Sequence, residues 1–70
     1  MITLDIIRER LKESIKQSGY SQTELAKKLG VSQPTIAYYL RGDKMPALDT
    51  FANLCKIIDV SPDYILCFED

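Results

Sequence analysis

The chain has 70 residues, 46% apolar and 27% charged, with nine Lys and Arg against ten Asp and Glu and no His. That length holds one domain near the lower limit of what folds on its own core, and the composition is that of a globular chain and not a disordered one. The commonest general base and metal ligand is missing, Cys55 and Cys67 fit neither a disulfide framework nor a zinc spacing, and Gly19, Gly30 and Gly42 form no loop, so no enzyme, cofactor, metal or small-molecule ligand is expected.

Asp5, Arg8, Glu9 and Arg10 stand where a signal peptide needs an uninterrupted apolar run. No apolar run approaches the roughly 20 residues of a bilayer span, so the sequence predicts a cytoplasmic chain without a membrane partner. Leu4, Ile7, Leu11 and Ile15 recur at intervals of three and four, the apolar stripe of a first helix near residues 4–18, ended at Gly19. Ser21, Ser32 and Ser61 each follow an apolar or aromatic residue and precede another at the fourth helical position, the pattern of an N-cap with a hydrophobic staple. Ser21 with Glu24 adds a capping box, and Pro62 suits a first helical position. These starts predict helices near residues 22–29, 33–41 and 62–67. A fourth helix near 48–58 follows Pro46, with a stripe of Leu48, Phe51, Cys55 and Ile58, Leu54 beside it, and only Asp49 to offset the poor cap at Ala47. Cys55 is expected in the core and Cys67 as a free thiol near the terminus.

The second and third predicted helices are joined by Leu29-Gly30-Val31-Ser32 alone. So short a link forces a steep crossing. Gly30 supplies a left-handed backbone, Ala26 is small where the helices approach, and Leu25, Leu29, Val31 and Ile36 pin the pair to the core. This is a helix-turn-helix over about residues 22–41. Centring the third helix on Ile36 puts Tyr39 and Leu40 on the buried side and Pro34, Tyr38 and Arg41 on the other, with Gln33 at the exposed tip. Gln pairs with adenine N6 and N7 in the major groove. Ser32 and Thr35 offer hydroxyls at the same end, and Gln22 opens the second helix, whose N-terminus is a natural phosphate site. Lys27 and Lys28 read as a solvated face.

The stretch QTELAKKLGVSQPTIAYYLR, Gln22 to Arg41, resembles the helix-turn-helix of phage repressors and Cro-like proteins and of the xenobiotic-response-element (XRE) family of bacterial regulators. The similarity runs on through Leu48–Leu54 and Val60–Leu66. It implies an all-α, compact five-helix lambda-repressor-like domain over residues 1–70. It also implies base contacts at Gln33, Pro34 and Tyr38, a DNA-backbone contact at Gln22, and phosphate contacts at Arg41 and Lys44. Pro34 has no donor, so it can offer only apolar contact, such as to a thymine methyl. Three positions depart from the family pattern: Tyr39 for a branched aliphatic, Asp59 for Gly, and Ala47 for a capping Ser or Thr.

Tyr64, Ile65, Leu66 and Phe68 crowd the last helix and leave an apolar patch, the mark of an interface. A homodimer through about residues 48–68, using Tyr64, Ile65 and Phe68, would set two recognition helices about 34 Å apart. The expected function is sequence-specific binding of double-stranded operator DNA by a transcriptional regulator, a repressor, in the bacterial cytoplasm or nucleoid. The alternative is an interaction adaptor or antitoxin of the same fold, acting through its C-terminal apolar face.

The net charge of −1 conceals a polarity. Residues 1–20 carry +1, residues 21–46 carry +2, and residues 47–70 carry −4. The positive part contains the predicted DNA face. Its weak field leaves specific contacts and pairing of copies to supply more of the affinity.

Overall fold

The apolar spacings and caps above produce five helices in a computed structural model that describes residues 1–69. Asp70, one of the acidic C-terminal groups, lies outside the described residues. The elements are α1 (Leu4–Gln17), α2 (Gln22–Leu29), α3 (Gln33–Arg41), α4 (Leu48–Ile58) and α5 (Pro62–Ile65). No strand forms among the described residues, and none of their helices is long and apolar enough to cross a membrane. The α1 helix packs on α3 and α5, while α2 packs on α3 and α4.

Each helix contributes one side chain sealed completely from solvent: Leu11, Leu25, Ile36, Leu54 and Ile65. Around them Ile15, Ala26, Tyr39, Phe51 and Cys55 complete the core, with Leu29, Val31, Ile58 and Val60 packed against it. Cys55 is therefore a core residue, and burial pushes its thiol pKa up, so it stays protonated and unreactive at neutral pH. Both cysteines are free thiols. Two predicted stripes begin one turn too early. Leu4 and Leu48 are exposed, because each opens its helix at the periphery of the core, and the buried run of α4 is Phe51, Leu54 and Cys55.

One stop device ends three of the helices. Gly30, Gly42 and Asp59 all adopt left-handed backbone, with φ of 77°, 78° and 56°. The following N–H then folds back onto the helix: Val31 to Ala26 O at 3.0 Å, Asp43 to Tyr38 O at 3.0 Å, and Val60 to Cys55 O at 3.0 Å. It is Gly42 that ends α3, and Pro46 stands in the loop beyond. At Gly42 the left-handed φ is the constraint, since a Cβ there would come only into ordinary contact with the Arg8 side chain, at 3.4 Å. Val31 and Val60 each seal the end of one helix and pack against the core before the next, so Gly30-Val31 and Asp59-Val60 are the same stop used twice. At Asp59 the joint is strained, because a side chain in the left-handed region is penalised. Asp59→Gly is expected to raise stability by about 0.5–1 kcal/mol net of the added unfolded-chain entropy. In a thermal melt this reads as a gain of several degrees.

The caps divide more sharply than the sequence suggested. Thr3, which the periodicity left unmarked, caps α1 by accepting from the Ile6 N–H. Ser21 and Ser32 cap as expected. Ser61 does not cap through its hydroxyl, and the Tyr64 N–H goes to the Ser61 carbonyl at 3.1 Å. At α4 the Asp49 carboxylate takes the Thr50 N–H at 2.9 Å, so it does more than complement the helix dipole.

The last helix is one turn long, ending at Ile65 and not at residue 67. Its carbonyls take local N–H groups, Pro62 O from Leu66, Asp63 O from Phe68 and Tyr64 O from Cys67, and Tyr64 O takes a further bond from α1. One terminal nitrogen of Arg10 donates to Tyr64 O at 2.7 Å and Glu69 O at 2.8 Å, and the guanidinium lies 4.7 Å from the Tyr64 ring centroid. Arg10→Ala is expected to destabilise the fold by about 1–2 kcal/mol, the worth of charge-assisted bonds that also dock the tail. Arg10→Lys recovers only part of this, since an ammonium lacks the planar fork that stacks and donates together. Thermal melts of the two variants and amide exchange over residues 64–69 provide the check.

Candidate nucleic-acid interface

The α2–turn–α3 unit places the predicted contact residues, and its rigidity starts with the two caps. The Ser21 hydroxyl accepts from Glu24 N, and the Glu24 carboxylate accepts from Ser21 N, both at 3.1 Å. The Ser21 backbone N–H, and then its hydroxyl, hold the Glu24 carboxyl below the usual carboxylate range. A lowered pKa means that the box is intact at neutral pH and lost as the pH falls through that lowered value. The box consumes the N–H groups of Ser21 and Glu24 and leaves those of Gln22 and Thr23 outside it. Gln22 is exposed at the first position of α2.

At the start of α3 the Ser32 and Thr35 hydroxyls bond to each other at 2.8 Å, and the Thr35 N–H reaches Ser32 Oγ at 3.4 Å. Ser32 is thus fixed as the cap and Thr35 is half-buried. Gln33 and Pro34 project just beyond them, both exposed. Pro34 sits in the first turn, where a missing N–H is harmless. The pair stands on a tight joint, held by the left-handed Gly30 and by Leu25, Ala26 and Ile36 in the core. A rigid helix end presenting an amide side chain and an apolar ring is suited to base edges.

The far end of α3 carries a second group. Gln33 and Arg41 are eight residues apart, about 12 Å along the helix axis. The Arg41 guanidinium carbon lies 5.0 Å from the Tyr38 ring centroid, and Lys44 Nζ lies 4.9 Å from it. The structure therefore brings Tyr38, Arg41 and Lys44 together, with Tyr38 one turn beyond Pro34 on the same helix. Arg41 is not a free cation, since its Nε donates to Asp43 Oδ2 at 2.9 Å. Asp43 went unnoticed in the sequence, where the only signal is an acid two residues beyond Arg41, across the Gly42 turn. Arg8 and Lys12 of α1 likewise carry no site role in the sequence reading. They line a cleft of about 350 Å³ with Leu40, Arg41 and Gly42, and they are paired there to Asp5 and Glu9. Lys27 and Lys28 are both exposed, and Lys28 Nζ stands 5.7 Å from the Tyr20 ring centroid.

The predicted interface between copies fares differently. Phe68 is 77% exposed and Tyr64 half-buried, but Ile65 is sealed in the core. A one-turn helix has no repeat from which to read a face, so the crowding of apolar residues there does not tell which of them meets the core. Within this chain Ile65 has no surface to offer a partner.

The sequence profile of the helix-turn-helix family matches residues 11–65, which spans all of α2, α3 and α4. The chain belongs to this family. As an XRE-type helix-turn-helix protein it has the lambda-repressor-like all-α fold, with α2 and α3 as the motif. It is similar to YqaE of Bacillus subtilis, an uncharacterised HTH-type transcriptional regulator, with 40% identity over 83% of this chain and 50% of that one. It is similar also to ImmR of the same organism, an HTH-type transcriptional regulator, with 38% identity over 83% of this chain and 46% of that one. The chain spans about half the length of these two relatives. A third relative, the uncharacterised HTH-type transcriptional regulator YgzD of Bacillus subtilis, is 28% identical over 91% of this chain and 97% of its own. No solved structure matches the chain significantly.

Proposed function

We propose that this helix-turn-helix chain is a sequence-specific transcriptional regulator that acts as a repressor. It inserts α3 into the major groove of double-stranded DNA as a homodimer on a palindromic operator. The observation that carries this reading is the exposed Gln33–Pro34 tip of α3, set on the left-handed Gly30 joint, with Arg41, gathered with Lys44 at the Tyr38 ring, about 12 Å along the helix axis from Gln33. One end has the chemistry of base readout and the other that of phosphate contact. The names of YqaE and ImmR as HTH-type transcriptional regulators support the same function.

In this reading Gln33 and Pro34 meet bases, Gln22, Ser32, Thr35, Arg41 and Lys44 meet the backbone, and Tyr38 faces the DNA between the two groups. Pairing of copies uses the acidic C-terminal segment, where Phe68 and Leu48 are the most exposed large apolar side chains after Met1. Tyr64 lies at the margin of that surface. An operator blocked in this way is closed to polymerase, so the regulator represses.

Selection of bound sites from a random DNA pool, followed by gel shifts at several salt concentrations, is the test. A recurring inverted-repeat sequence bound by two copies is the expected result. Weak binding that is equal on every sequence overturns the specific regulator and favours an adaptor acting through Phe68. A selected site without two-fold symmetry, bound by one copy, overturns the homodimer alone.

A further inference from the structure

The cations near the end of α3 are mostly neutralised in place. Arg8 pairs with Asp5 at 3.3 Å, Lys12 with Glu9 at 3.7 Å, and Arg41 with Asp43 at 2.9 Å. Lys44 pairs with no carboxylate among the described residues; what it has is the Tyr38 ring, 4.9 Å from its Nζ. The same ring lies 5.0 Å from the Arg41 guanidinium carbon, so one aromatic side chain holds two cations. Given the proposed DNA-binding function, we infer that Tyr38 is above all a positioning residue. Its ring, and not its hydroxyl, gathers Arg41 and Lys44 into a single phosphate-binding cluster.

The physical case rests on order and charge. Lys44 lies in the irregular segment after α3, where a four-carbon stem would otherwise sample many rotamers and surrender that freedom on meeting a phosphate. Contact with the half-buried ring settles part of that ordering before DNA arrives. The ring touches only one side of each cation. Asp43 takes the Nε of Arg41 and leaves the two terminal nitrogens, the fork that fits a phosphate. Arg41 and Asp43 cancel in charge, so the net attraction of the cluster comes from Lys44. The element that keeps Lys44 near the helix sets how strongly this end grips the backbone. With the ring engaged by two cations, the hydroxyl becomes the minor part of the side chain.

The experiment measures affinity for a duplex of about 20 base pairs and arbitrary sequence at several salt concentrations. It compares wild type with Tyr38→Phe, Tyr38→Leu and Lys44→Ala. Lys44→Ala is expected to flatten the slope of log affinity against log salt by about 0.9, one phosphate contact. Tyr38→Phe keeps the wild-type slope. Tyr38→Leu, apolar but without the ring, loses affinity several-fold and moves toward the slope of Lys44→Ala. A readout without DNA accompanies it. In the proton NMR spectrum of the free protein the Lys44 ε-methylene and Arg41 δ-methylene signals are shifted upfield by the ring in wild type and Tyr38→Phe, whether or not Tyr38→Leu folds. A Tyr38→Leu variant with the wild-type slope, a Tyr38→Phe variant that loses as much as Tyr38→Leu, or methylene signals at ordinary positions in wild type would each overturn the inference. A wild-type chain that binds no duplex at any salt overturns the DNA-binding reading, and this inference with it, whereas the other outcomes leave that reading intact.

Discussion

Ile36→Ala is expected to lower folding stability by about 2–5 kcal/mol, the range for deleting a buried branched side chain and leaving a cavity. Ile36 sits in the recognition helix between the half-buried Thr35 and Ala37, and it is one of five side chains with no exposure at all. A domain of this length has a total stability of roughly 4–10 kcal/mol, so the loss is a large fraction of it. The five sealed side chains come one from each helix, which makes the site unable to collapse without shifting α3 against the others. Urea unfolding should therefore show a much lower midpoint at unchanged slope. DNA binding should fall with the folded fraction and return when the temperature is lowered enough to refold the variant. An Ile36→Ala chain as stable as wild type would show that α3 is not anchored as described.

Gln33→Ala is the opposite case, a large effect on binding with none on folding. Gln33 is exposed at the first position of α3, and the cap beside it belongs to Ser32. Its truncation removes no buried area, so the melting temperature should stay within a degree or so. Loss of a bidentate contact to adenine is expected to cost about 1–3 kcal/mol on the selected operator. That corresponds to a fall in affinity of roughly 5- to 150-fold, with relaxed preference at one or two base pairs and unchanged affinity for arbitrary duplexes. Equal losses on specific and arbitrary DNA would assign Gln33 to the backbone.

The contrast between these two side chains, three positions apart on one helix, shows which kinds of site the sequence makes legible. Ile36 and Gln33 are both readable from a wheel, because α3 is long enough for its period to define two faces. Ile65 is not, since α5 is a single turn and its neighbours decide which side is covered. Leu4 and Leu48 fail in another way. They continue a correct period past the edge of the core, and a period carries no information on where neighbouring helices stop. Asp43 and Arg10 lie beyond any spacing rule. Arg41 is neutralised across a turn at Gly42, and Arg10 reaches the carbonyls of residues 64 and 69, more than fifty positions away.

The sequence alone determined the order of the helices, their approximate limits, the joint at Gly30 and the exposed tip at Gln33 and Pro34. All of these follow from local chemistry: a side-chain oxygen capping an N–H, a glycine taking a left-handed turn, and an apolar residue recurring each turn. The tertiary structure decided what those elements do to one another. It sealed Ile65, stacked Arg10 on Tyr64, and set Lys44 and Arg41 on one aromatic ring. It also showed that the charge near the recognition helix is largely spent within the protein, on Asp5, Glu9 and Asp43. Burial, pairing and stacking depend on distances between segments, and those exist only once the core has closed.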